Sequence, residues 1–152
     1  MVVAGQHPSR GVLETWRALL GYVRRATADL DAELRDQAAM GLEDYDVVYQ
    51  LSQGPPEGMR MSALAGSLLV AASSCTRLIG HLVDVGWVER RPDPGDGRAV
   101  VVALTAPGRH ALSRASVVHV QGIGRVFSSR LEVPQLDALN EALERLEAGP
   151  SP

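Results

Sequence analysis

Two short stretches, Trp87–Arg91 and the valine-rich Arg98–Leu104, flank the run Pro92-Asp93-Pro94-Gly95-Asp96-Gly97 in a chain that otherwise spaces its apolar residues as helices do. Proline, glycine and aspartate crowded into six positions do not hold regular structure, so the run reads as the loop of a β-hairpin. One hairpin set among helices predicts a mainly α fold with a small β-hairpin projecting from it.

The helical spacing begins at Val12. Val12, Leu13, Trp16, Leu19, Leu20, Val23, Leu30 and Leu34 mark one face of a long first helix that Ser9 can cap and that runs to about Arg35. Residues 1–10 read as a loose start and Gly149-Pro150-Ser151-Pro152 as a frayed tail. Gly41 breaks the first helix, and Leu42–Gln53 reads as a second, stopped by Gly54-Pro55-Pro56-Glu57-Gly58. Ser62 is positioned to cap a short third helix. After Leu69-Val70 a fourth helix is expected from about Ser73 to Val85, its inner face being Cys75, Leu78, Ile79, Leu82 and Val85, with Gly86 as its C-terminal cap. Thr105 and Pro107 open a fifth helix that reaches about Arg130, weakened at Gly122 and Gly124. Pro134 starts a sixth, whose Leu136, Leu139, Leu143 and Leu146 keep a three-four spacing.

The 152 residues read as one domain. Within it, residues 42–104 form the helix–turn–helix and hairpin lobe, and residues 10–35 and 105–148 a helical dimerisation region. The terminal helices are amphipathic, and the small middle module cannot cover both stripes, so the economical arrangement is a homodimer built from both ends of two chains. No apolar run is long enough to span a bilayer and no secretory leader pattern opens the chain, so a cytoplasmic location without a membrane partner is expected.

Chemistry narrows the reading further. Cys75 is the only cysteine, and His7, His81, His110 and His119 form no ligand motif, so no metal site or cofactor is expected. No nucleophile motif, phosphate loop or catalytic carboxylate pair appears, which argues against an enzyme. The net charge of −3 is unusual for a nucleic-acid binder. Local charge matters more: acids crowd Asp29–Asp46 and Glu132–Glu147, while Arg77, Arg90, Arg91, Arg98 and Arg109 gather between them. The chain has no lysine, so its fixed cations are all planar guanidiniums, suited to phosphates and guanine edges.

Helix, turn, helix and hairpin in that order form a winged helix-turn-helix pattern. The second helix of such a pair lays its N-terminal residues against base edges in the major groove. Here those residues are Ser73, Ser74, Thr76 and Arg77. Arg98 follows the tight hairpin loop and is expected to reach the minor groove, where the negative potential is strongest. Asp96 is expected to hold an arginine, Arg98 or Arg77, in place. Double-stranded DNA is therefore the expected partner.

The run from Met61 to Leu112 resembles the MarR family of bacterial transcription regulators. The resemblance rests on Leu64-Ala65, Thr76-Arg77-Leu78-Ile79, Leu82, Gly86-Trp87-Val88-Glu89-Arg90, Asp96-Gly97-Arg98 and Leu104-Thr105-Ala106-Pro107-Gly108. It implies a two-fold dimer on a palindromic operator, usually as a repressor. It also implies Ser73, Ser74, Thr76 and Arg77 at the major groove, Arg98 at the minor groove and Asp96 organising the wing. Two positions depart from the pattern: Ala71-Ala72-Ser73 stands where many relatives have Ser-Pro-Ser, and Gly97 where an arginine is common. Losing that arginine should lower the salt dependence of binding.

Relatives often release DNA when a small aromatic or phenolic effector binds between the dimer helices and the DNA-binding lobe. By position, Trp16, Arg17, Tyr22, Tyr45, Tyr49 and His119 are the residues that would line such a pocket here. Two other readings stand beside this one. A winged helix can serve as a protein-interaction module that does not bind DNA, and Cys75, near a helix N-terminus, can make a regulator redox-responsive.

Overall fold

The computed structural model describes residues 8–68 and 72–148, with the side chains of residues 72–74 outside that description. Residues 1–7 of the expected loose start, the Leu69-Val70 turn and the tail after Ala148 lie outside the described residues. The elements are α1 (Arg10–Ala38), α2 (Leu42–Gln53), β1 (Met59–Arg60), α3 (Met61–Ser67), α4 (Ala72–Asp84), β2 (Val88–Asp93), β3 (Asp96–Leu104), α5 (Ala106–Ile123) and α6 (Val133–Glu147), with a π-helical turn at Gly124–Ser128. The architecture is mainly α with a small antiparallel sheet, a winged helix-turn-helix with helices flanking it at both ends of the chain.

Local chemistry sets the helix ends. Ser9 Oγ accepts from the Val12 N–H, satisfying one of the orphan donors that open α1. The helix runs a turn past Arg35 and ends at Ala39, which takes a left-handed conformation (φ 54°). Gly41 is therefore not what stops α1; it is the N-cap of α2. Asp31 Oδ1 accepts the Leu42 N–H at 2.8 Å and so ties the end of α1 to the start of α2. Ser62 does not cap α3. The helix already starts at Met61 with Arg60 as the extended residue before it, because Arg60 is held in the sheet as part of β1.

The sheet has three strands in the order β1-β3-β2. Val88 pairs with Leu104, Arg90 with Val102 and Pro92 with Val100. The run from Pro92 to Gly97 is thus not all loop. Pro92 and Asp93 continue β2, Asp96 and Gly97 begin β3, and only Pro94-Gly95 turn the chain. Proline is admitted because β2 is an edge strand whose outer side needs no donor.

The core joins α2, α3, α4, the sheet, the C-terminal part of α1 and α5. Leu34, Met40, Val47, Val48, Leu64, Ile79, Leu82 and Val102 are fully buried in it. Cys75, Leu78, Ile79 and Leu82 form the inner face of α4 as expected, but Val85 does not; it is exposed, because α4 ends at Asp84 and Gly86 (φ 76°) turns the chain away. Thr105 caps α5, its Oγ1 accepting the Gly108 N–H at 3.0 Å and donating to the Gly86 carbonyl at 2.7 Å. Gly108 sits against the Trp87 backbone so closely that a Cβ there would fall 2.0 Å from the carbonyl oxygen. That contact welds the start of α5 to the root of the hairpin. Farther along, a Cβ at Gly122 would meet Leu30 Cδ2 at 2.4 Å, so this glycine lets α5 lie against α1. Among the described residues no helix is long and apolar enough to cross a membrane.

Candidate nucleic-acid interface

The core fixes α4 by one face and thereby decides what the other shows. Cys75, Leu78, Ile79 and Leu82 point inward, so at 3.6 residues per turn Arg77 points away from the core and Thr76 toward the hairpin. Both are exposed. Ser73 and Ser74 lie in the first turn of α4, and their side chains lie outside the described residues. The Arg90 guanidinium, from β2, donates to the Thr76 carbonyl at 3.2 Å and holds the hairpin beside α4. Between them lies a cavity of about 430 Å³ bordered by Arg60, Cys75, Thr76, Arg90 and Arg98.

The wing tip is ordered by two aspartates. Asp93 Oδ1 accepts the Gly95 N–H at 2.7 Å, and its other oxygen meets Arg60 Nε at 2.6 Å. The Gly95 N–H and then Arg60 hold its carboxyl below the usual carboxylate range. Asp96 Oδ1 accepts the backbone N–H of Arg98 at 3.1 Å. The expectation that Asp96 grips an arginine side chain is thus corrected: it holds the Arg98 backbone, because a carboxylate two residues ahead on a tight turn is in reach of the amide. Arg77 instead faces Glu43 of α2, with Nη2 3.6 Å from Oε2. The Arg98 side chain is exposed and has no carboxylate within ion-pair distance among the described residues. The structural part played by Arg60 and Asp93 was not read from the sequence. A two-residue strand leaves no periodicity, and the pair spans residues far apart in the chain.

The proposed effector residues divide. Tyr45 stacks on His119 (ring centroids 4.3 Å apart) and on Tyr49 (5.9 Å), and its hydroxyl lies 3.4 Å from Ser116 Oγ. Burial pushes the His119 imidazole below its ordinary pKa. Trp16 and Arg17 do not join this group. α5 runs antiparallel to α1, with Tyr22 donating to the Val126 carbonyl and Leu30 against Gly122, so His119 lies toward the C-terminal end of α1. Trp16 sits about 21 Å of helix rise before Leu30 and is exposed. Tyr22 likewise belongs elsewhere, edge-on to Phe127 at 6.0 Å. Cys75 is buried, with its thiol 3.8 Å from Met61 Sδ, and desolvation raises its pKa, which opposes thiolate formation.

A helix held by its apolar face beside an arginine-tipped hairpin defines a winged helix-turn-helix protein. The family model described as MarR family matches residues 40–99, which contain α2 to the wing tip. The chain is 28% identical over 109 residues to the HTH-type transcriptional regulator PecS of Dickeya dadantii, an alignment covering 70% of this chain and 66% of that one. It is 30% identical over 79 residues to the multiple antibiotic resistance protein MarR of Escherichia coli, covering 52% and 55%. The chain thus spans somewhat under two thirds of one relative and about half of the other. Over nearly its whole length it superposes on the MarR family transcriptional regulator Sco3205 of Streptomyces coelicolor, crystallised with DNA, with a TM-score of 0.88, 25% identity and coverage of 99% and 94%. By family model, curated relatives and fold, the chain is similar to the MarR family of transcriptional regulators. PecS and Sco3205 are named as transcriptional regulators, not enzymes.

Proposed function

We propose that this chain is a transcriptional regulator that binds double-stranded DNA as a homodimer. Residues 42–104 serve as the reading lobe, and residues 10–35 and 105–148 as the dimerisation region. One observation carries the reading: Arg77 and Arg98 are both exposed, on α4 and on the wing that Arg90 ties to it, while the opposite face of α4 is locked in the core. In this reading the first turns of α4, with Ser73, Ser74, Thr76 and Arg77, enter the major groove. Arg98 enters the minor groove, and Asp96 sets the wing backbone. That Sco3205 was crystallised with DNA supports it.

Exposed apolar side chains supply the dimer argument. Val12, Leu13, Trp16, Leu20 and Val23 of α1, Val117 and Val120 of α5, and Val133, Leu143 and Leu146 of α6 are all exposed, more than scattered surface residues explain. Two such lobes would address a palindromic operator in the cytoplasm, and repression is the family's usual outcome. A small aromatic or phenolic effector acting at Tyr45, Tyr49 and His119 would release the DNA.

An anisotropy titration against the duplex upstream of the protein's own gene, beside a scrambled duplex, tests the reading. Arg77→Ala costs about 1–3 kcal/mol if its contact to a base is bidentate. Arg98→Ala weakens binding to both duplexes and reduces the salt slope by about one. Undiminished affinity in both variants would show the reading surface to be elsewhere.

A further inference from the structure

Helix α2 opens with two consecutive acids, and each meets a basic group of α4. Arg77 and His81 stand four residues apart, one above the other on the helix surface. Arg77 Nη2 lies 3.6 Å from Glu43 Oε2, and His81 Nε2 lies 3.8 Å from Asp44 Oδ2. The two contacts differ in kind. The Asp44 side chain is 11% exposed and also accepts the Gly41 N–H at 3.4 Å, so it is a fixture of the helix start. The Glu43 and Arg77 side chains are 50% and 72% exposed, so their contact lies in solvent, where water and other ions compete for both groups. Arg35 also stands near these acids, but its guanidinium is hydrogen-bonded to Asp31 at 2.8 Å, which leaves Arg77 as the close partner of Glu43.

We infer that Glu43 is an affinity-setting residue of the interface, an internal anion that occupies the Arg77 guanidinium until DNA displaces it. The inference rests on the DNA-reading role proposed for α4. A guanidinium has a limited number of donors and one position at a time, so a carboxylate that holds it competes with a phosphate or a guanine edge. The Glu43 contact is long and through one nitrogen, whereas a guanine edge accepts two parallel hydrogen bonds. DNA therefore wins the exchange, but with part of the Arg77 contribution already spent on leaving Glu43. An exposed pair of this sort shifts an equilibrium by a factor of about two to five.

The test is an anisotropy titration of the intact protein at low salt, against the upstream duplex and a scrambled duplex, with the unmodified chain, Glu43→Gln, Arg77→Ala and the double variant. Glu43→Gln is expected to tighten binding to both duplexes about two- to five-fold. The gain shrinks toward 1 M salt, where charges are screened beyond about 3 Å, and it disappears in the Arg77→Ala background. Glu43→Asp keeps the charge at the helix start but withdraws the carboxylate by one methylene, and moves affinity in the same direction as Gln. No gain from Glu43→Gln, or an equal gain with and without Arg77, would overturn the inference and leave DNA binding intact. Failure of the unmodified chain to bind either duplex would overturn both readings together.

Discussion

The winged helix-turn-helix lobe and the chain ends are built to different standards of closure. In the lobe, Leu64, Ile79, Leu82 and Val102 are fully buried, in a core that three short helices and a sheet share with the C-terminal part of α1 and with α5. At the ends, α6 has no buried residue, and α1 buries only Leu30, Leu34 and Ala38, all toward its C-terminal end. The same apolar spacing that seals one region leaves the other open. Amphipathic periodicity thus states that a face must be covered, not which chain covers it.

Substitutions can break this contrast at either side. The largest effect belongs to the closed region: Leu82→Ala empties a fully buried site and is expected to destabilise by about 2–5 kcal/mol, read from urea melts. A loss under 1 kcal/mol would mean the lobe relaxes like a surface. At the open end, Trp16→Glu with Leu20→Glu should leave the single-chain fold intact by circular dichroism while dissociating the proposed dimer in sedimentation. Burial of such side chains is worth about 1.5–3 kcal/mol each. An unchanged sedimentation coefficient would place the covering surface elsewhere. A smaller effect lies where the wing root meets α5: Thr105→Ala removes the cap and should cost about 1 kcal/mol, seen as a lowered melting temperature.

The smallest effect concerns the joint between the regions, where Asp31 accepts from Arg35 and from the Leu42 N–H. Those bonds, the Arg35 one foremost, lower its pKa. A carboxyl depressed in the folded state stabilises above its unfolded value, about 3.9, and that stability is lost as pH falls through the lower folded value. Asp31→Asn should therefore lower stability slightly near neutrality and flatten its decline below about pH 4. An unchanged acid limb would mean that Asp31 does not carry the joint.

Much of this was legible in the chain because it is local. The bounds of α2 follow from Gly41 and Gly54-Pro55-Pro56, and the start of α5 from Thr105 and Pro107, since caps and breakers act over a few residues. What was not legible depends on distant partners. β1 is two residues long and exists because Met59 and Arg60 pair with Val102 and Val101. Pro92 and Asp93 extend a strand because β3 lies beside them, and the π turn after α5 follows no periodicity that a helical reading would catch. For the candidate interface, the positions of Arg77 and Arg98 followed from pattern, whereas their partners did not. Glu43 opposite Arg77 and the backbone role of Asp96 are products of how α2 and α4 cross and how the hairpin turns. Trp16 and Arg17 share the helical spacing of α1, but its 29-residue length puts them far from the end that Tyr45 and His119 adjoin.

Gly108 beneath the Trp87 carbonyl leaves no slack between α5 and the root of the hairpin. If that joint holds as α5 turns, it would act as a crank, carrying a rotation of α5 into the wing. In the proposed dimer the stride between the two wing tips would then be geared to how the two fifth helices sit, so a disturbance at the base would be felt as a changed spacing at the far tips.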